Sequence, residues 1–280
     1  MLRIVGDTTS VLPPKISAEH GITIMPQIIN FGSKSYRDDT ELDTATFLRL
    51  LRSSRDLPKT AAPPPSLYTP VYQQALNAGD QVLVLCPSAD TSGTFRSAQL
   101  AAQEFNSPDI HIMDTRLIAG GLGRLLILAS QWSKQGLDVE TIKTRLESWR
   151  KRERIYFVVD TLEYLAKGGR IGNAQALLGG LLQLKPILTM ENGVNTPVES
   201  QRTKKRAISR FKELVLEECP PTPDSYLCVI HSDAEEVARQ YAAEFSQKLG
   251  IPDVPVYEQC ASIVVHVGPG VIAASFFCPE

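Results

Sequence analysis

The chain has 280 residues, more than one ordinary α/β layer needs, so two domains are expected. A net charge of −2 excludes a broad sequence-independent grip on nucleic acid, and a 43% hydrophobic, 21% charged composition is that of a globular protein with a full core. The longest apolar run, 177–184, holds two glycines and Gln183 and is too short to span a bilayer, so no transmembrane segment is expected.

In chain order, Leu2-Arg-Ile-Val-Gly6 reads as a short strand rather than a charged-then-apolar export signal, and a cytoplasmic location follows as an expectation. Asp7-Thr-Thr-Ser10 and Pro13-Pro14 form turns, Ile22–Phe31 is a strand candidate, and Thr44–Leu51 has helical spacing after the capping candidate Asp43. Leu57–Ser66 carries four prolines and reads as a stiff, ordered loop. A regular pattern follows: helix 68–77, strand 81–86, helix 94–105, strand 110–114, and helices 117–135 and 139–151. Continuous Val/Ile/Leu strands alternating with helices indicate a parallel sheet covered on both faces.

The second half reads differently. Strand 155–160 precedes a glycine-broken helical stretch, 163–180. Segments 185–190 and 196–200 flank Asn192-Gly193, a strong hairpin signal. Helix 204–218, a proline linker, strand 226–231, helix 234–249 and strands 254–259 and 270–277 complete the chain. The expected fold class is α/β with two domains: an N-terminal parallel three-layer sandwich over 1–152 and a C-terminal mixed-sheet domain over 153–280.

Five cysteines, an odd number without C-x-x-C pairing, fit a reducing compartment, and Cys86 and Cys228 sit in apolar runs that suit a small buried hydrophobe. The four histidines lack metal-ligand spacing, so no metal site is expected.

The most informative local signal is Cys86-Pro-Ser-Ala-Asp-Thr-Ser92-Gly93-Thr94. A buried strand ends, a hydroxyl-rich turn follows and a helix begins, which in an open parallel sheet is where ligands bind. Ser92, Gly93 and Thr94 would offer hydroxyls and backbone N–H groups to an anion at the positive end of a helix. A plain helix cap accounts for the same residues equally well. The turn lacks the G-x-x-x-x-G-K-[ST] pattern and its lysine, so a carboxylate suits it better than a polyphosphate. Thr60, held in the proline loop, is a second hydroxyl donor, or part of a surface spacer. His266, after the apolar run 263–265, reads as a structural histidine at a strand end or as a donor to a bound ligand. Arg170, in a glycine-rich basic turn, and Arg202, which opens a cationic helix start, suit either a tight turn and a solvated cluster or an acidic partner. The segment 174–188 is plain core or the wall of an apolar tunnel.

Asp7-Thr-Thr-Ser, Pro58-Lys-Thr60 with Pro63, Thr91-Ser92-Gly93-Thr94, Lys167-Gly-Gly-Arg-Ile-Gly172, Lys185-Pro-Ile-Leu188, Arg202-Thr-Lys-Lys205 and His266-Val-Gly-Pro-Gly270 occur in order along the chain. Together they resemble the DegV family of bacterial fatty-acid-binding proteins. The resemblance implies two α/β domains with an acyl chain buried between them, and a carboxylate held by Thr60 and Ser92. It supports His266 as a further ligand-binding residue, beside Gly93 and Thr94 from the reading of the turn. It implies a non-catalytic carrier without a cofactor, which presents a long-chain fatty acid to a fatty acid kinase for acyl-phosphate formation; Arg170 and Arg202 are the candidates for contacting that partner or its phosphoryl group. Two departures stand out. Ala61-Ala62-Pro63-Pro64 replaces the Ser-Gln-Pro-Ser common after the threonine, and Phe95-Arg96 replaces Tyr-Gln. The competing reading is a phosphotransferase or hydrolase with Ser92 as nucleophile and His266 as base, although Ser92 lies outside any G-x-S-x-G elbow.

Overall fold

A computed structural model describes residues 1–178 and 184–279. Part of the 174–188 segment, and with it most of the apolar run 177–184, lies outside the described residues. The chain divides into two compact units, Met1–Lys151 and Arg152–Glu280.

The first unit contains strands β1 (Leu2–Asp7), β2 (Ile22–Met25), β3 (Ile28–Phe31), β4 (Lys34–Arg37), β5 (Lys59–Ala61), β6 (Gln81–Cys86) and β7 (Ile110–Asp114). Its helices are α1 (Pro14–His20), α2 (Thr44–Ser53), α3 (Pro65–Asn77), α4 (Thr94–Gln103), α5 (Ala119–Lys134) and α6 (Val139–Arg152). The main sheet runs β2-β1-β6-β7 with every pairing parallel. Because both faces are covered, β6 is written as Val82-Leu-Val-Leu-Cys86 with no polar alternation, and all five residues are buried.

The side chains of β1 alternate between the two faces. Val5 packs with Tyr68, Tyr72 and Ala75 of α3 and with Ala98 and Ala101 of α4. Gly6, one residue on, faces α5, where a β-carbon would stand 2.5 Å from Cδ1 of Leu126. Gly123 of α5 comes equally close to the chain just beyond β1: its added β-carbon would be 2.6 Å from the Ser10 carbonyl oxygen. These two glycines let the helix lie directly on the end of β1, and alternation then turns Asp7 to the α3 and α4 side.

The expected strand over 22–31 is two strands in two sheets. Pro26 breaks the run, so β2 joins the parallel sheet while β3 starts a small antiparallel sheet ordered β4-β3-β5. The proline-rich stretch also departs from the expected loop. Lys59–Ala61, the three residues between Pro58 and Ala62, pair with β3, and α3 begins at Pro65, where a missing N–H is harmless.

The second unit contains β8 (Glu153–Val158), β9 (Lys185–Glu191), β10 (Val194–Gln201), β11 (Cys228–His231), β12 (Val256–Glu258) and β13 (Ile272–Phe277), with helices α7 (Glu163–Lys167), α8 (Lys204–Glu218), α9 (Glu235–Leu249) and α10 (Ala261–Val267). Its sheet is ordered β10-β9-β8-β13-β11-β12 and is mixed, since β11 and β12 run parallel while the other pairings are antiparallel. The β9–β10 hairpin turns at Asn192 and Gly193, both at positive φ, and its register shifts between Pro197 and Glu199. Phe211 of α8, Phe245 of α9 and Phe276 of β13 fill the core. The apolar run 263–265 is helical, so His266 lies on α10 rather than at a strand end.

Candidate functional site

In the first unit, β6 ends at Cys86 and the chain turns through Ser88, whose carbonyl accepts from Thr91 N at 3.1 Å and from Ser92 N at 2.9 Å. Helix α4 then starts at Thr94 with Gly93 as its cap residue, so no side chain at that position competes for the first-turn N–H groups. The Ser92 hydroxyl accepts from Thr94 N at 3.2 Å and lies 2.9 Å from the Thr94 hydroxyl. Ser92 is half-buried and Gly93 exposed, whereas Thr94 is buried.

Thr94 connects this turn to the end of β1. Its Oγ1 donates to Asp7 Oδ2 at 2.9 Å and accepts from Gln27 Nε2 at 3.0 Å, while Gln27 Nε2 also reaches Asp7 Oδ2 at 2.6 Å. The other Asp7 oxygen accepts from Thr9 N at 3.0 Å and from the Thr9 hydroxyl. Asp7 is 0% exposed, and burial raises its carboxyl pKa above the ordinary carboxylate value against the opposing hydrogen bonds from Thr9, Thr94 and Gln27. In the sequence Asp7 opens a turn and the first family motif without pointing to a site role, and Gln27 belongs to no motif. A polar Gln inside the run 22–31 is the local signal for the second of them.

The proline loop crosses the start of α4. Thr60, half-buried on β5, is paired across from Ile29 of β3. Two residues on, the Ala62 Cβ lies 3.5 Å from where a β-carbon on Gly93 would be. The Ser97 hydroxyl of α4 donates to the Pro63 carbonyl. Thr60 and Ser92 thus belong to two segments of one unit that touch at Ala62 and Gly93.

The remaining residues singled out lie in the second unit. Arg170 follows α7; its Nη1 donates to the Gly168 carbonyl at 2.8 Å, and its own carbonyl accepts from Asn195 Nδ2 at 2.6 Å. Burial, and secondarily Arg170, pushes the His266 imidazole pKa down to about 4, so the ring is neutral near pH 7. Arg202 is exposed between β10 and α8, next to the cap Thr203, which accepts from Arg206 N at 3.2 Å. One of the cations at the start of α8 is compensated: Lys204 pairs with Asp160 at 2.8 Å. Burial raises the Cys86 thiol pKa and pushes that of Cys228 up to about 12, which suits inert core residues. Among the described residues no group of His, Cys, Asp and Glu is arranged to hold a metal, and no helix is long and apolar enough to cross a membrane.

The chain is 35% identical over 271 residues to a DegV domain-containing protein of Streptomyces coelicolor, covering 96% of this chain and 95% of that protein. Its fold is similar to that of a DegV family protein from Thermus thermophilus described for fatty acid binding, with a TM-score of 0.88, 31% identity and 99% of each chain covered. It is also similar to the crystal structure of DegV, a fatty acid binding protein from Bacillus subtilis, with a TM-score of 0.87, 31% identity and again 99% of each chain covered. The model of the DegV family, described as an uncharacterised protein family, matches residues 1–278. With sequence and backbone agreeing over nearly its whole length, the chain belongs to the DegV family.

Proposed function

We propose that this protein binds one long-chain fatty acid, with Thr60 and Ser92 donating to the carboxylate and the acyl chain lying in an apolar tunnel. The observation that carries the reading is the start of α4: a half-buried hydroxyl at a helix start whose cap residue, Gly93, has no side chain, adjoining the loop that follows Thr60. The fatty acids named for the Thermus and Bacillus relatives support the same ligand class. Tail burial contributes about 0.8 kcal/mol per methylene, on the order of 10 kcal/mol for a long chain before association costs. The head group then needs donors, because a buried unpaired carboxylate costs several kcal/mol. Hydroxyls and helix N–H groups meet that need.

The carrier has no catalytic residue in this reading and no cofactor. It presents the carboxylate to a cytoplasmic fatty acid kinase for acyl-phosphate formation, with Arg170 and Arg202 meeting the kinase and His266 assisting at the head group. Ser92 as a nucleophile is disfavoured, since its Oγ lies against the hydroxyl and amide of Thr94, neither of which is a base.

The test is native mass spectrometry of the purified protein, followed by analysis of acid released on denaturation. One bound fatty acid is expected, with retention falling sharply when both Thr60 and Ser92 become Ala. A bare chain mass with no released acid counts decisively against the reading.

A further inference from the structure

The hydrogen count around Thr94 carries an inference about Asp7, which is sealed from solvent and has no route to a ligand of its own. A threonine hydroxyl has one hydrogen and two lone pairs. With Asp7 ionised, the Thr94 hydrogen goes to Asp7 Oδ2, and Gln27 Nε2 takes one lone pair of Thr94 Oγ1. The 2.9 Å contact between the Ser92 and Thr94 oxygens then requires the Ser92 hydrogen. If Ser92 turned that hydrogen to a ligand carboxylate, two oxygens would face each other with no hydrogen between them, a loss comparable to a broken buried hydrogen bond. With a proton on Asp7 Oδ2, the whole chain reverses. Asp7 donates to Thr94, Thr94 donates to Ser92, and Ser92 donates to the ligand, with every contact still bridged by one hydrogen.

We propose that Asp7 is a positioning residue of the carboxylate site, releasing the Ser92 hydroxyl to the ligand only when protonated, so that binding a fatty acid anion is coupled to uptake of one proton. The proposal rests on the reading of Ser92 as a carboxylate donor. The proton comes from solvent through the same chain, whose outer member, Ser92, is half-buried rather than sealed. The surroundings allow a neutral acid at Asp7. Its hydrogen-bond partners Thr9, Gln27 and Thr94 are uncharged. Tyr68 of α3 and Cys86 of β6, the titratable groups that sense its charge, have pKa values raised by burial and stay neutral. Asp38, which accepts from the Thr8 hydroxyl and from Gln27 N, is the nearby acidic residue.

The experiment titrates the delipidated full-length protein with cis-parinaric acid, a fluorescent acid with a free carboxylate, from about pH 6 to 9, where the free acid is already ionised. Parallel calorimetry in two buffers of different ionisation enthalpy reads protons taken up on binding. For the wild type, affinity is expected to fall with rising pH, by up to about tenfold per unit, with net proton uptake. Asp7→Asn, which has no group to titrate at this position, is expected to bind with a flat profile and no uptake. A flat wild-type profile without uptake, or a wild-type slope retained in Asp7→Asn, overturns the proposal. If Asp7→Asn fails to fold, Thr94→Val cuts the chain at its middle, and coupling that survives there overturns the proposal equally. Ser92→Ala binding as tightly as wild type sinks the carboxylate reading itself, an outcome distinct from the others.

Discussion

Gly168 and His266 meet so closely that any β-carbon on Gly168 would overlap the imidazole Nδ1 and stand 3.0 Å from the Tyr164 carbonyl. The glycine is therefore required by space, since its φ lies outside the left-handed region. Gly168→Ala is expected to force the ring off its site and to cost about 1–3 kcal/mol, the usual range for overpacking. Thermal unfolding checks the cost, and the His266 ring signals in NMR check the displacement. Unchanged ring shifts would show that the ring is not held there.

Ser97 ties the proline loop to α4 by donating to the Pro63 carbonyl, two residues beyond Ala61 at the end of β5. Ser97→Ala leaves that acceptor unpartnered by the helix and is expected to cost about 1–3 kcal/mol. Because the loop carries Thr60, the off-rate of a bound fatty acid should rise more than the melting temperature falls. Stopped-flow displacement compared with thermal unfolding separates the two effects.

Glu153, at the start of β8, is buried and accepts from the Ser275 hydroxyl at 2.9 Å; burial pushes its acid pKa up to about 7 from an ordinary 4.5. The folded-state value is raised, so its contribution is fully present below pH 4.5 and is lost as pH rises through 7. The rise from 4.5 to about 7 corresponds to on the order of 3 kcal/mol. Glu153→Gln keeps the acceptor for Ser275 and removes the titration. Denaturant unfolding should show the variant gaining on wild type between pH 5 and 8, and a constant difference would refute the assignment.

Gly123 and Gly6 predict an order of sensitivity. Alanine at 123 gains up to about 1 kcal/mol of helix propensity, but its β-carbon meets a backbone carbonyl at 2.6 Å. Alanine at 6 meets the Leu126 side chain, with Cδ1 at 2.5 Å, and a side chain yields more readily than backbone. Gly123→Ala is therefore expected to be the more destabilising, and the same unfolding measurement ranks the two.

The elements legible in the sequence are those whose neighbours in space agree with their local pattern. Strands 81–86 and 110–114 and helix 204–218 match their expected bounds because continuous apolar runs or an amphipathic stripe leave one solution. Asn192-Gly193 marked its hairpin because both residues must take positive φ. The misses are short. The three residues of β5 become a strand only because β3 offers an edge, and the run 263–265 suits a strand or a helix until its neighbours decide. At the candidate site, Ser92-Gly93-Thr94 announces itself as a turn before a helix. The ties of Asp7 and Gln27 to that turn do not, although Asp7 opens a motif of its own, because their bonds to Thr94 span 87 and 67 residues. A link of that length has no local signature.

Strand β10 ends its sheet, and a sheet edge is a place where another chain can add on. Pro197 has no amide to offer, and the register slip beside it bends the rim out of line. The hairpin thereby carries its own guard against aggregation during synthesis.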